Sequence, residues 1–176
     1  LSPAVLVTLA IVFLPMLQTA WMSLHDYVLF RPNVFDFVGL KNFKAALQDE
    51  VFWISLRHTA IWMAATIPAQ LLLGLITALL LNQEFSWRPL ARALVIIPWA
   101  LPSVVIALMW VWIYDSNYGI ANEFLLRVGL IQKAIPWLAD PQPALAAIIV
   151  TLTWQGFPFF AVLTLADTQS HQRTLS

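Results

Sequence analysis

The chain has 176 residues, of which 61% are apolar and 10% are charged, and it contains nine tryptophans. Soluble domains carry about 25% charged residues, so this composition excludes both a soluble domain and a disordered chain. The nine basic and nine acidic residues leave no excess positive charge for a nucleic-acid partner, and the absence of cysteine excludes disulfides and thiolate metal ligands. The composition therefore predicts an integral membrane protein.

Four stretches without a charged residue follow one another along the chain. Each exceeds the length of about 20 apolar residues with which a helix crosses a bilayer. They predict an all-α, polytopic membrane helical bundle with four transmembrane helices, at about 3–24, 58–82, 92–114 and 143–166. Trp21, Trp53 and Trp87 lie where three of these helices should meet the lipid headgroups, the position that amphipathic rings favour.

The first and third connections between the predicted spans are long, and the second is short. Spans two and three therefore form a tight hairpin, and the opposite membrane face carries two substantial loops. Each long loop contains apolar residues at helical spacing, which predicts a short helix lying along the membrane interface. In Gly39–Leu56 these residues are Phe43, Leu47, Val51 and Ile54, and in Gly119–Ile131 they are Ile120, Phe124 and Val128.

The predicted spans contain Pro15, Pro68, Pro98, Pro102 and Pro158. A proline removes a backbone hydrogen bond and bends its helix, which a membrane bundle tolerates where neighbouring groups bond the freed carbonyl. Plain bending is one interpretation of these residues, and a helix broken near a translocation path is the other. Because Pro98 and Pro102 share a helix face, they are the stronger pair of helix-kink candidates, and Pro158 is the third.

Three glutamines lie inside the predicted spans, where an unpaired amide is costly. We expect Gln18, Gln70 and Gln155 to face the interior of the bundle or a wet cavity. Two interpretations remain: hydrogen bonds between helices, or a path for a polar solute lined by Gln70, Trp154 and Gln155. Aromatic faces and amides suit a sugar, because stacking and hydrogen bonding address different parts of its ring.

No group of residues in the sequence suggests catalysis. The acidic residues are scattered over the loops, and the chain has no Walker-type glycine loop for ATP. We therefore expect no enzymatic activity, no metal site and no cofactor. The alternative function is a haem-carrying or structural membrane anchor of a larger complex, because His25 and His58 fall at the same membrane face and could ligate a haem iron.

A series of short motifs follows one order along nearly the whole chain. The motifs are Phe37–Phe43 with Phe52 and Leu56–Thr59, then Pro102–Trp110 with Tyr114-Asp115, then Gly119–Asn122 with Leu125, Gly129 and Leu130, and finally Trp154–Phe159 with Leu165-Ala166 and Gln169-Ser170. Together they resemble the sugar permeases of ABC importers, of the maltose and glycerol-phosphate type.

This resemblance implies a permease subunit in the inner (plasma) membrane of a bacterial or archaeal cell, which imports a sugar or related polar solute with ATP hydrolysed by a partner. The implied partners are a second permease subunit, a cytoplasmic ATPase dimer, an extracytoplasmic solute-binding protein and the lipid bilayer. The resemblance also implies an orientation, with the connector Asn82–Arg92 in the cytoplasm and both long loops outside. Residues 1–176 are then a single transmembrane permease domain that lacks its N-terminus, coupling loop and later spans.

The sequence departs from the family pattern at its end. Family members continue from Gln-Ser through a proline and a glutamate into a Glu-Ala-Ala motif, which forms a short helix that docks on the ATPase. This chain runs from Gln169 to Ser176 without a proline or a glutamate. The resemblance therefore implies that the sequence stops before the coupling loop.

Overall fold

The computed structural model describes residues 2–27 and 35–174, with the side chains of residues 3, 5–27 and 35–166. Its elements are α1 (Ser2–Ser23), β1 (His25–Tyr27), β2 (Phe35–Phe37), α2 (Lys41–Gln48), α3 (Glu50–Asn82), α4 (Arg88–Ala100), α5 (Ser103–Ile113), α6 (Ile120–Arg127) and α7 (Pro141–Thr174). The chain divides into two compact units, Leu1–Arg57 and His58–Ser176, which are described separately below.

Within residues 2–27 and 35–174, three helical segments are long and apolar enough to cross a membrane: Val5–Ser23, Glu50–Asn82 and Pro141–Ala166. The first lies within predicted span 3–24, and the other two contain predicted spans 58–82 and 143–166, so the polytopic helical fold is confirmed. The third predicted span, 92–114, corresponds to α4 and α5. These two helices together are also long and apolar enough, but they are bent by 93° where they meet.

The bend between α4 and α5 lies at Leu101 and Pro102, so the predicted third span is two helices rather than one. Leu101 is extended, with φ −73° and ψ 141°, because the ring of a following proline disfavours the α conformation. Pro102 directly precedes α5, where its missing N–H costs no helical hydrogen bond. Pro98 lies inside α4 and is buried. α4 also begins earlier than predicted, at Arg88.

In the first unit, the connection after α1 contains a two-stranded antiparallel ribbon that the sequence pattern did not indicate. Strands β1 and β2 pair with His25 opposite Phe37. Asn42, near the start of α2, donates hydrogen bonds from its Nδ2 to the Ser23 carbonyl at 2.9 Å and to the His25 carbonyl at 3.0 Å. One amide therefore holds α2 against both the end of α1 and the ribbon.

Both predicted interfacial helices exist, but with different bounds. The first is α2, which ends because Asp49 is extended and its Oδ1 accepts a 2.9 Å hydrogen bond from the N–H of Val51. Val51 therefore belongs to α3, which begins at Glu50 rather than at residue 58. The second is α6, which ends at Arg127, and Gly129 then takes a φ of +74°, a left-handed conformation that glycine adopts readily.

In the second unit, the long helices α3 and α7 bury only part of their surface. α3 has 33 residues and is about 50 Å long, more than the hydrocarbon core of about 30 Å. The buried residues of α3 follow one face of the helix, at Thr66, Gly74, Ala78 and Leu81. Its other faces present large apolar side chains to the exterior, as expected for a helix surrounded by lipid.

Candidate functional site

Helix α7 lies at the centre of the second unit, because α3, α4 and α5 all contact it. At its start, the Ala147 carbonyl accepts a 3.1 Å hydrogen bond from the hydroxyl of Tyr114, at the end of α5. Further along, the ring of Trp154 meets the ring of Trp110 on α5, with 5.6 Å between the centroids. The two pairs follow one another in opposite directions along the two helices, so α5 and α7 are antiparallel. Helix α4 packs along α7 as well.

The path candidate Gln70 joins α3 directly to α7. Its Nε2 donates a 2.7 Å hydrogen bond to the carbonyl of Leu152, which is 82 residues later in the sequence. The amide also occupies the space that Gly156 leaves by having no side chain, since a Cβ at residue 156 would collide with it. Gln70 therefore makes an interhelical hydrogen bond, one of the two interpretations open for this residue.

One turn further along α3, Gly74 brings the same two helices into close contact. A Cβ at this position would lie 2.6 Å from the Cβ of Phe160 and 3.0 Å from the backbone nitrogen of Ala161. Small residues are what allow helix backbones in membranes to approach so closely. We call the contact formed by Gln70, Gly74, Gly156 and Phe160 the α3–α7 seam. Its pairs follow the same order on both helices, so α3 and α7 run in the same direction.

The second path candidate, Trp154, is half-buried in a series of aromatic contacts. Its ring meets the ring of Trp110 nearly edge to face. The ring centroids of Trp110 and Tyr114 are 5.1 Å apart, and those of Tyr114 and Trp137, in the second long loop, are 5.6 Å apart. Aromatic pairs at such distances each stabilise a fold by about 0.5–1.5 kcal/mol. The series therefore ties the middle of α7 to the loop that precedes it.

The third path candidate, Gln155, is half-buried, and its side-chain amide makes no hydrogen bond with any described residue. Other side-chain atoms of the second unit are buried and lack a partner within the described part of the chain: Trp62 Nε1, Thr66 Oγ1, Arg92 Nε and Nη2, Trp110 Nε1 and Thr153 Oγ1. Unpaired polar atoms are costly in an apolar environment. These atoms belong to residues of α3, α4, α5 and α7, so the second unit has hydrogen-bonding capacity that the described residues leave unused.

A groove of about 230 Å³ lies between α5 and α7. Its lining is largely apolar. Its polar side-chain groups are the hydroxyls of Tyr114 and Thr151, which both donate to the Ala147 carbonyl, and the buried indole N–H of Trp110. The groove therefore suits hydrocarbon better than a sugar. None of the three path candidates lines it, so this groove does not bring them together.

Pro158, the third kink candidate, lies inside α7 and is fully buried. Beyond it, α7 continues as a helix through the motif residues Gln169 and Ser170 to Thr174. The departure from the family pattern that was predicted over Gln169–Ser176 concerns side chains outside the described residues.

Asn122 organises the second long loop, a role that the sequence pattern did not indicate. This residue is 4% exposed, and its Nδ2 donates a 3.0 Å hydrogen bond to the Ile135 carbonyl. Its Oδ1 accepts two further bonds of 3.0 Å, from the N–H of Ile135 and from Nε1 of Trp137. The one available signal was its position in the motif Gly119–Asn122. Asn122 thus holds the segment before α7 against α6.

Asp115 closes the turn between α5 and α6. Its Oδ1 accepts hydrogen bonds from the N–H of Asn117 at 2.8 Å and of Tyr118 at 3.2 Å. At Gly119 the chain returns so close to the Asp115 backbone that a Cβ would collide with it. The hydrogen bonds from Asn117 and Tyr118 hold the pKa of the Asp115 carboxyl below its usual range, because they stabilise the charged form.

The lowered pKa of Asp115 predicts an acid-sensitive turn. Because the pKa is lower in the folded state, the carboxylate stabilises the fold above its unfolded pKa, and this contribution is lost as the pH falls through the folded pKa. Asp115→Asn keeps an oxygen acceptor at every pH, so we expect its melting temperature to fall less on acidification from about pH 6 to about pH 3 than that of the parent. Equal falls in the two proteins would contradict this role.

In the first unit, His25, the candidate haem ligand of the alternative function, is enclosed by aromatic rings. Its ring is 6% exposed and stacks on Phe35 at 4.3 Å between centroids, and its Nδ1 lies 2.8 Å from the carbonyl oxygen of Trp21. His25 therefore packs as a structural residue of the ribbon. The other candidate, His58, is exposed on α3.

Comparison with known proteins identifies one matching family model, described as the inner membrane component of binding-protein-dependent transport systems, over residues 70–171. The match begins at Gln70 and includes α4, α5, α6 and both sides of the α3–α7 seam.

Two curated relatives match almost the whole chain. The chain is 36% identical to the trehalose/maltose transport system permease protein MalF of Thermococcus litoralis, over 96% of this chain and 56% of the relative. It is 33% identical to the sulfoquinovosyl glycerol transport system permease protein SmoG of Agrobacterium fabrum, over 99% of this chain and 56% of the relative. The chain therefore spans a little over half the length of these relatives.

The fold also resembles a solved structure. A chain of the bacterial alginate ABC transporter, in complex with an alginate pentasaccharide-bound periplasmic protein, superposes with a TM-score of 0.72 at 20% identity, over 93% of this chain and 53% of that chain. At this level of identity the likeness establishes the fold.

Proposed function

Because the chain belongs to the family of inner membrane components of binding-protein-dependent transport systems, we propose that it forms part of a permease subunit of an ABC importer. In this proposal the subunit moves a sugar or related polar solute inward, and a partner subunit hydrolyses the ATP that drives the movement. The observation that carries the proposal is the family match over residues 70–171, which contains the seam and the path candidates.

A carbohydrate is the proposed class of solute. The two relatives are named for trehalose or maltose and for sulfoquinovosyl glycerol, and the similar structure is that of an alginate transporter. The candidate groups for a sugar are the half-buried indole ring of Trp154 and the half-buried side-chain amide of Gln155, which together provide an aromatic surface and hydrogen-bonding groups. Gln155 is the strongest of the three path candidates, since Gln70 is already bonded to Leu152.

The proposed partners are an extracytoplasmic solute-binding protein, a second permease subunit and a cytoplasmic ATPase dimer. The first is supported by the periplasmic protein in the alginate transporter complex. In the proposed orientation, the connector between α3 and α4 faces the cytoplasm, and the ribbon and α6 face outward. The common direction of α3 and α7 is consistent with this, because both would then run from the outside to the inside.

Helix breaks supply the proposed movement. The bend at Pro102 and the prolines inside α4 and α7, Pro98 and Pro158, are places where a helix is less supported by its own hydrogen bonds. We propose that ATP hydrolysis in the partner moves the helices about these places, so that the solute path opens first outward and then inward.

Uptake of labelled sugar by whole cells tests the function. Deletion of the gene that encodes this chain should abolish uptake of one member of a panel containing maltose, trehalose and sulfoquinovosyl glycerol, and the complete gene should restore it. The restored gene carrying Gln155→Leu should raise the KM of uptake, because the variant loses an amide that hydrogen-bonds the solute. If the deletion leaves the uptake of every sugar in the panel unchanged, the proposed function is contradicted. If Gln155→Leu leaves the KM unchanged, Gln155 does not lie on the path.

A further inference from the structure

We propose that Gln70 is a positioning residue, which holds the segment Leu152–Pro158 of α7 so that Trp154 and Gln155 keep the orientation in which they meet the solute. This inference rests on the proposed function for its consequence in transport. The contact that carries it is the α3–α7 seam, where a side-chain amide of one helix is bonded to the backbone of the other.

The geometry of the seam is specific to an amide of this length. Gln70 Nε2 reaches the Leu152 carbonyl at 2.7 Å, and the rest of the amide lies where a side chain at residue 156 would be. One turn away, Gly74 keeps the two backbones close. The hydrogen bond therefore cannot be replaced by a shorter side chain unless the helices move together, and the contact at Gly74 already prevents that.

The segment that Gln70 holds is weakly supported by its own helix. Pro158 has no N–H, so the Trp154 carbonyl lacks the hydrogen bond that an uninterrupted helix would provide. Gly156, in the same turn, lowers the helix propensity further. Trp154 and Gln155 directly precede Gly156 and Pro158 in the chain, and a bond from a neighbouring helix to Leu152 stabilises the turn that carries both. Gln70 thus acts on the solute path through α7.

Thiol accessibility tests this role without transport. Residues 1–176 contain no cysteine, so Gln155→Cys introduces a thiol whose rate of modification by N-ethylmaleimide can be measured in membranes against the protein without this substitution. We expect Gln70→Met, which keeps the length but removes the donor, to raise this rate about threefold, the factor that corresponds to an interhelical hydrogen bond of about 0.6 kcal/mol. A control thiol from Asn117→Cys, in the turn after α5, should react at the same rate with and without Gln70→Met.

An unchanged rate at residue 155 would overturn the inference. Should the protein with Gln70→Met not accumulate, Gln70→Asn serves the same purpose, because its amide is one methylene too short to reach Leu152. In uptake assays, a positioning role predicts a higher KM at unchanged Vmax per folded molecule, whereas a merely structural role lowers only the amount of folded protein. A changed thiol rate in a protein that transports none of the sugars would refute the proposed function and leave the positioning role standing. Normal sugar transport together with an unchanged rate of thiol modification would support the proposed function and refute the positioning role.

Discussion

Gly74→Ala is expected to lower the melting temperature of the detergent-solubilised protein by about 2–12 °C, because overpacking of a tight contact costs about 1–3 kcal/mol. The added Cβ would lie 2.6 Å from the Cβ of Phe160 and 3.0 Å from the Ala161 nitrogen. The second of these atoms is backbone, so no side-chain rotation relieves the clash. Helices α3 and α7 must move apart, and the bond between Gln70 and Leu152 should be lost with their separation.

Gly129→Ala is the matched control for this prediction. Gly129 has a φ of +74° and open space where a Cβ would lie, so the same substitution there adds only backbone strain. That strain is about 1–2 kcal/mol, and it should not disturb the α3–α7 seam. The thiol introduced by Gln155→Cys should therefore react faster in the protein with Gly74→Ala and at the parent rate in the protein with Gly129→Ala. An equal response of the thiol to both substitutions would contradict the close contact at Gly74.

Asn122→Ala is expected to release the second long loop. Alanine removes all three hydrogen bonds of the Asn122 side chain and leaves the N–H and carbonyl of Ile135 and the Nε1 of Trp137 without their partner. Each bond is worth about 1 kcal/mol, so the local opening free energy should fall by about 2–3 kcal/mol. Amide hydrogen exchange over residues 128–140 should then become about 30-fold faster or more.

Asn122→Asp distinguishes the two hydrogen bonds that the Asn122 side chain accepts from the one that it donates. An aspartate can still accept from the Ile135 N–H and the Trp137 Nε1, but it cannot donate to the Ile135 carbonyl. Exchange over the same loop should therefore rise by about tenfold or less, between the parent and the alanine protein. The central role of Asn122 is wrong if alanine leaves exchange unchanged or if aspartate has the larger effect.

The spans could be predicted from the sequence because their signal is local. The charge-free stretches at 3–24 and 143–166 need only length and hydrophobicity, and helices α1 and α7 include both except for Leu24. The start of α3 could not be placed as well. Residues Glu50 to Arg57 are amphipathic in composition, and it is the extended Asp49 that separates them from α2.

The site depends on contacts that no local pattern carries. The bond from Gln70 joins residues 82 positions apart, and the sequence left it undecided whether this amide meets another helix or a solute. The fit of its amide at Gly156 depends on the crossing of two helices, which the crowding at Gly74 determines. Asn122 was overlooked for a different reason, because a single asparagine in a loop gives no sign of being buried.

The most direct test of the proposed transport function is the energy source of sugar uptake in right-side-out membrane vesicles from cells that express the complete gene. With the binding protein present outside and ATP enclosed, we expect uptake of the labelled sugar identified in whole cells. This uptake should stop with orthovanadate, continue when an uncoupler collapses the proton gradient, and be absent in vesicles from the deletion strain. Uptake that needs the proton gradient and ignores vanadate would contradict the assignment to an ATP-driven importer.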